Sequence, residues 1–297
     1  MFVELVRTTT SDGHRLDGSL LSAAPEIAPR FDVDAFLFLH GVGGNFYAGN
    51  LFDHLAQVLS HAGAAVLRAN TRGHDSISIC WTSVGPLRHG AAYEVVDQCR
   101  FDVNAWIGFL QSRGFARIAV LGHSLGAIKA IYSAALENHP AIRCVIACSP
   151  PRLSYAAFMN SESQPKFFES LSTARDFVER GQGESLFQAK FPFPILITAA
   201  GYIDKYGPDE RYNILRYVGQ VTKPLLVTYG QKELDQGGVA FAGMPDEIST
   251  RKRLDQTLEV ISIPNADHVY TGLYDQLSGA ILPWLGAIEP LINTNRH

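Results

Sequence analysis

The run Ile118-Ala119-Val120-Leu121 is short and apolar, and Gly122-His123-Ser124-Leu125-Gly126 follows it directly, ahead of a helical pattern from Ala127 to Leu136. Such a run reads as a buried strand and the stretch beyond it as a helix. The chain must then reverse within a few residues, so strand and helix nearly touch. Only the smallest residues fit on either side of so tight a turn, and Gly122 and Gly126 supply them. Ser124 is left exposed at the apex, beside the first N–H groups of a helix, where negative charge is stabilised. A strand, a G-x-S-x-G turn and a helix in this order predict a nucleophilic serine.

Around this turn, strand-like and helical patterns alternate. Glu4 to Thr9 and His14 to Leu21 read as strands split by the turn Ser11-Asp12-Gly13. Phe36 to Leu39 is a continuous apolar strand leading into His40-Gly41-Val42-Gly43-Gly44-Asn45. A helix is predicted over Leu51 to Leu59, closed by His61-Ala62-Gly63, and a strand over Ala65 to Arg68. Residues 77–90, with Trp81, Pro86 and His89, read as a long loop, and Val95 to Leu110 as a helix that Gly114 ends. Further strands are predicted at Ile142 to Cys148, Pro224 to Tyr229 and Leu258 to Ile263, with a last helix from Leu273 to Ile288. Between Arg152 and about Gln220 the alternation lapses into aromatic residues with polar spacers, which we read as an inserted cap. Alternating strands and helices imply an α/β fold with a mostly parallel sheet and right-handed crossovers.

Several function classes are disfavoured. A net charge of −4 offers no basic footprint, so no nucleic-acid partner is expected. The start, Met1 to Arg7, lacks a basic region followed by an apolar core, so no signal peptide is expected. No apolar run approaches the about 20 residues that cross a bilayer. Cys80, Cys99, Cys144 and Cys148 are too few for a disulfide framework, and Cys144 and Cys148 read as small core residues. These features together suggest a cytoplasmic protein. No His/Cys/Asp cluster has metal-ligand spacing, so neither metal nor organic cofactor is expected. The glycines of residues 41–44 lack the Gly-Lys-Ser/Thr of a phosphate-binding loop and the spacing of a dinucleotide fingerprint.

Four signals in order make the chain resemble the α/β-hydrolase superfamily: His40-Gly41-x-Gly43-Gly44, Asn70-x-Arg72-Gly73-His74-x-Ser76, Gly122-His123-Ser124-Leu125-Gly126 and Asp267-His268. The resemblance implies that fold for residues 1–151 and 221–297, with a helical cap, 152–220, inserted after the sixth strand. It also implies a serine, acid and histidine in that chain order. His268 is the expected base, since only the terminal His297 lies beyond it after His139. The acid should follow the Pro224–Tyr229 strand, where Glu233 holds the family's G-x-x-D position and Asp235 has the usual residue type two places later. We prefer Asp235, because a longer glutamate would need the backbone withdrawn, and keep Glu233 as the alternative. Asp267 is a poor partner, since neighbours on an extended segment point opposite ways. Val42 and Leu125 are the expected backbone donors of an oxyanion hole. Arg72 and His74 are expected to brace the loop beneath the site. Trp81 and His123 are candidates for substrate contact, with His89 and Tyr93 as further pocket candidates.

Such a site implies a serine hydrolase cleaving a small to medium carboxylic ester through an acyl-enzyme. Ser124 argues against the dehalogenase and epoxide-hydrolase branches, which carry aspartate at the turn. Thioesterase, amidase, lactonase and carbon–carbon bond hydrolase activities use the same machinery, and a non-catalytic ligand-binding protein on this fold is the rival from another class. A homodimer is one option for its assembly.

Overall fold

The computed structural model describes residues 3–24 and 26–294. Met1, Phe2 and His297, which entered the sequence reading, lie outside the described residues. The chain runs β1 (Val3–Thr9), β2 (Arg15–Leu21), β3 (Ala35–Leu39), α1 (Asn50–His61), β4 (Ala65–Ala69), β5 (Ser78–Thr82), β6 (Gly85–His89), α2 (Cys99–Ser112), β7 (Ile118–His123), α3 (Leu125–Glu137) and β8 (Ile142–Cys148). It continues through α4 (Tyr155–Met159), α5 (Gln164–Glu179), β9 (Leu186–Ala189), β10 (Ile195–Thr198), α6 (Ala199–Tyr206), β11 (Leu225–Gly230), α7 (Gln231–Gln236), α8 (Met244–Ser249), β12 (Leu258–Ile263) and α9 (Tyr274–Thr294).

Eight strands form one sheet in the order β1-β2-β4-β3-β7-β8-β11-β12. The first two ladders, β1–β2 and β2–β4, are antiparallel and the rest parallel. The apolar runs become the middle strands because both faces of the sheet are covered. On β3 the alternation is visible residue by residue. Phe36 and Phe38 pack on one side with α1 and α9, while Ala35, Leu37 and Leu39 join Val103, Trp106 and Ile131 of α2 and α3 on the other. Six mutually parallel strands, β4, β3, β7, β8, β11 and β12, therefore release their loops at one sheet edge, where open α/β folds hold their ligands. All four cysteines are buried and free.

Two segments differ from the sequence expectation. Residues 77–90 are not a loop but a hairpin, β5 paired with β6. Ser83-Val84 makes the turn, and Thr82 Oγ1 donates to the Gly85 carbonyl at 2.8 Å. Pro86 suggested a break, yet a two-stranded ribbon has only edge strands, where proline is tolerated. The segment between β8 and β11, expected as helical, holds α4, α5 and α6 but also the antiparallel pair β9–β10. Strands of four residues are too short to impose a period on the sequence. The insertion is held by edge-on aromatic packing, with Phe158, Phe167 and Phe191 mutually 4.8–5.3 Å apart.

Candidate active site

The turn between β7 and α3 is compressed as its glycines require. A Cβ on Gly122 would overlap the Gly126 carbonyl, and one on Gly126 would overlap that of Leu39. Ser124 itself has φ 56° and ψ −122°, a strained backbone for a residue with a side chain. Its amide donates to the Cys148 carbonyl at 2.9 Å, which ties the turn to the neighbouring strand.

His268 arrives on the loop after β12. Its Nε2 lies 3.0 Å from Ser124 Oγ, and its Nδ1 lies 2.7 Å from Glu233 Oε2. A carboxylate only accepts, so Nδ1 carries the proton and donates to Glu233, leaving Nε2 to accept from the serine hydroxyl. This loop can settle on the end of β11 because residue 230 is glycine. A Cβ there would stand 2.5 Å from the Ala266 carbonyl.

The structure brings Glu233, and not the preferred Asp235, to His268. Asp235 is exposed, and its Oδ1 accepts from Gln231 Nε2 at 2.8 Å on the far side of α7. Two residues along a helix is a rotation of about 200°, so only one of the two acids can face the imidazole. Glutamate's extra length serves the position. From the third residue of α7, Glu233 reaches back so that Oε1 accepts from the Gly230 amide at 2.7 Å, capping the helix, while Oε2 meets His268. Ser149, which the sequence reading missed, donates to the same Oε1 at 2.5 Å and lies 2.9 Å from the Tyr270 hydroxyl. Its signal was its place immediately after β8, at the edge where the other site residues emerge. Asp267 turns away, accepting from the amides of Val269 and Thr271.

His123 lies beside the serine, but its Nε2 donates to the His268 carbonyl at 2.7 Å. A carbonyl cannot donate, so this imidazole carries its proton on Nε2. Burial, and then the neighbouring His268 ring, hold it down to about 4. Trp81 is 57 % exposed on the outer face of the β5–β6 hairpin and borders neither cavity at Ser124. Trp81, a sequence candidate for substrate contact, is kept from these cavities because residues 77–90 fold back on themselves as a hairpin. His89 stacks on His14 at 4.7 Å, and neither His89 nor Tyr93 lines those cavities.

Val42 borders both cavities at Ser124, and Leu125 the smaller one. As the first residue of α3, Leu125 has an amide with no acceptor inside the helix. The loop carrying Val42 is fixed from behind. His40 Nε2 accepts from the Thr71 amide at 3.1 Å, so its Nδ1 is protonated and donates to the Gly41 carbonyl at 2.8 Å. The Gly44 amide reaches the same carbonyl at 3.1 Å. In a trans peptide the N–H of the next residue, Val42, points opposite to that carbonyl. Burial, then the Lys129 ammonium, hold His40 down to about 3, so it stays neutral.

Below His40 lies a buried ionic cluster. Lys129 Nζ donates to Thr71 Oγ1 at 2.9 Å and sits 2.5 Å from Glu94 Oε1, while Lys205 Nζ of α6 is 3.5 Å from Glu94 Oε2. All three side chains are almost fully buried. Burial raises the Glu94 carboxyl, but the two ammonium groups outweigh it and hold it at about 2. Arg72 is likewise buried, bridging Asp102 and Asp12 at 2.8 Å each, and His74 contacts Asp75 at 2.9 Å. Among the described residues, no His/Cys/Asp/Glu group is arranged to hold a metal, and no helix is long and apolar enough to cross a membrane.

A sequence model of the alpha/beta hydrolase fold matches residues 34–231. Among solved structures, the chain is similar to the alpha/beta hydrolase GrgF from Penicillium sp. sh18, with a TM-score of 0.70 at 15% identity over 98% of this chain and 100% of that one. It is also similar to Est1E from Butyrivibrio proteoclasticus, solved with ferulic acid, at 0.63 and 18% over 94% and 97%. The Pyrococcus furiosus esterase Pf2001 gives 0.63 and 17% over 96% and 91%. At these identities the likeness bears on the fold. No curated protein matches the chain.

Proposed function

Since the chain belongs to the α/β-hydrolase family, we propose that it is a serine hydrolase that cleaves small to medium carboxylic esters through an acyl-enzyme. The observation that carries this reading is the unbroken hydrogen-bonded series Ser124 Oγ, His268 and Glu233, at 3.0 and 2.7 Å. A serine hydroxyl is a weak nucleophile until a base removes its proton, and His268 Nε2 is within reach to do so. As Oγ bonds to the ester carbonyl carbon, the proton passes to Nε2 and the imidazolium is stabilised by the Glu233 carboxylate. The carbonyl oxygen becomes an oxyanion, for which we assign the amides of Leu125 and Val42 as donors. The carbon–oxygen bond to the alcohol then breaks, and Nε2 returns the proton to that oxygen. Water repeats the sequence on the acyl-enzyme, releasing the acid and restoring Ser124.

Residues 152–220 serve in this reading as a cap over the site, since Phe158, Pro192, Phe193 and Tyr206 border the cavity at Ser124. A ligand-binding protein that had lost part of the machinery is disfavoured by the full set of contacts. The test is labelling with a fluorophosphonate probe together with hydrolysis of p-nitrophenyl butanoate. Ser124→Ala should lose the label and about 10⁴-fold or more in kcat. Labelling at another residue, or undiminished turnover, would overturn the reading.

A further inference from the structure

Two cavities diverge from Ser124. The larger, of about 630 Å³, runs past the His40–Asn45 loop to the start of α1 and to Thr271 and Tyr274, and it opens to solvent. The smaller, of about 230 Å³, is more enclosed and is walled by Leu125, Leu153, Phe158, Tyr206 and Phe241. Among the described residues, only Val42, Ser124, His268 and Phe193 border both. The first three belong to the proposed reacting machinery. Phe193, from the connection between β9 and β10, is 46 % exposed and stands where the two spaces part.

Resting on the serine-hydrolase reading, we propose that the small recess takes the acyl group, restricted to short uncharged ones, that the open cleft takes the alcohol, and that Phe193 is the partition that sets this selectivity. The order of events decides which space takes which half. After acylation the alcohol must depart and water must reach the same carbon from the side it vacated, while the acyl group stays attached to Oγ. An open cleft permits that exchange; an enclosed recess does not.

Size sets the limit on the acyl chain. The recess has little more than a third of the cleft's volume and closes on Phe158, Tyr206 and Phe241, so short acyl groups such as butanoyl, hexanoyl and benzoyl are expected to fill it and dodecanoyl to overrun it. Charge sets a second limit. Among the described residues the one basic side chain lining the recess besides His268, Arg152, is already engaged by Glu247 at 2.5 Å and by the Ala242 carbonyl at 2.8 Å. An acyl group ending in a carboxylate would be stripped of water there with nothing to pair it.

The test is a p-nitrophenyl ester series from acetyl to dodecanoyl on the unaltered protein, with active sites counted by fluorophosphonate titration. Expected is a maximum of kcat/KM at butanoyl to hexanoyl, with about tenfold lower values for dodecanoyl and for the succinyl half-ester. Replacing phenyl butanoate by 1-naphthyl butanoate should change the rate less than threefold or so, because the cleft is roomy. Ala240→Phe, which fills the recess, should move the optimum to acetyl, and Phe193→Ala should raise dodecanoyl relative to hexanoyl. Labelled protein that hydrolyses dodecanoyl and hexanoyl esters equally well, or that is limited by the alcohol instead of the acyl group, would overturn the assignment while leaving the serine-hydrolase reading intact. Absence of label at Ser124 would end both. The series on the unaltered protein decides the matter even where a variant does not fold.

Discussion

The floor of the site and the segment above it are held by different forces. At the floor, backbone rests on backbone. Gly122 meets Gly126, Gly126 meets Leu39, and Gly230 meets the loop that brings His268, with no space for a methyl group at any of the three. Above it, the insertion is held by side chains, in the packing of Phe158, Phe167 and Phe191 and of Phe187 on Tyr202 at 5.6 Å. Carbonyl oxygens cannot be moved aside cheaply, whereas aromatic rings can be exchanged for others of similar volume. One region is fixed by what it excludes, the other by what fills it.

The strongest challenge to this contrast is the smallest chemical change. Gly126→Ala should cost on the order of 3 kcal/mol or more and remove the Ser124 turn, so that melting temperature and fluorophosphonate labelling both collapse. If the variant keeps both, the floor is more compliant than these contacts allow. Next comes the acid. Glu233→Gln should lower kcat about 10³- to 10⁴-fold by losing the tautomer and charge partner of His268, with folding largely retained. Asp235→Asn should stay within about twofold, as expected of an exposed surface residue. The reverse pattern in kcat would restore Asp235 as the acid.

Above the floor, Phe167→Ala should destabilise the protein by about 3–5 kcal/mol yet leave kcat for a short ester per labelled site within about threefold, read by calorimetry and titrated kinetics. A loss of turnover beyond the loss of folded protein would mean that the insertion shapes the floor as well. The mildest effect is on pH. His123 and His40 are held neutral when folded, at about 4 and about 3. Unfolding lets both bind protons near the ordinary 6.5, so the stability they require is intact above about pH 6.5 and declines as pH falls toward 4. His123→Gln, which can still donate to the His268 carbonyl, should flatten that decline as seen in melting temperatures.

The contrast also explains what was legible in the sequence. The tight turn at Ser124, the loop position of His268 and the apolar strands around them could be read because a tight turn needs glycine and a covered strand needs a continuous apolar run. The choice between Glu233 and Asp235 could not be read from residue type. It depends on which side of a six-residue helix faces the imidazole, and on a second task, capping that helix, which suits the longer side chain. Ser149 was missed because a serine after a strand is common, and only the third dimension places it on Glu233. The β5–β6 and β9–β10 hairpins escaped notice for a simpler reason, since strands of four or five residues carry too little periodicity to stand out from loops.

The Lys129–Glu94–Lys205 cluster has a bearing on how freely the insertion can move. It ties α6, within the insertion, to α3, the helix that follows Ser124. Swinging the insertion outward as a flap would pull the Lys205 ammonium from the buried Glu94 carboxylate, at a cost on the order of a few kcal/mol. Such a state would be occupied by on the order of one molecule in 10² to 10⁴. An outward swing of the whole insertion is therefore a rare excursion from the arrangement described above.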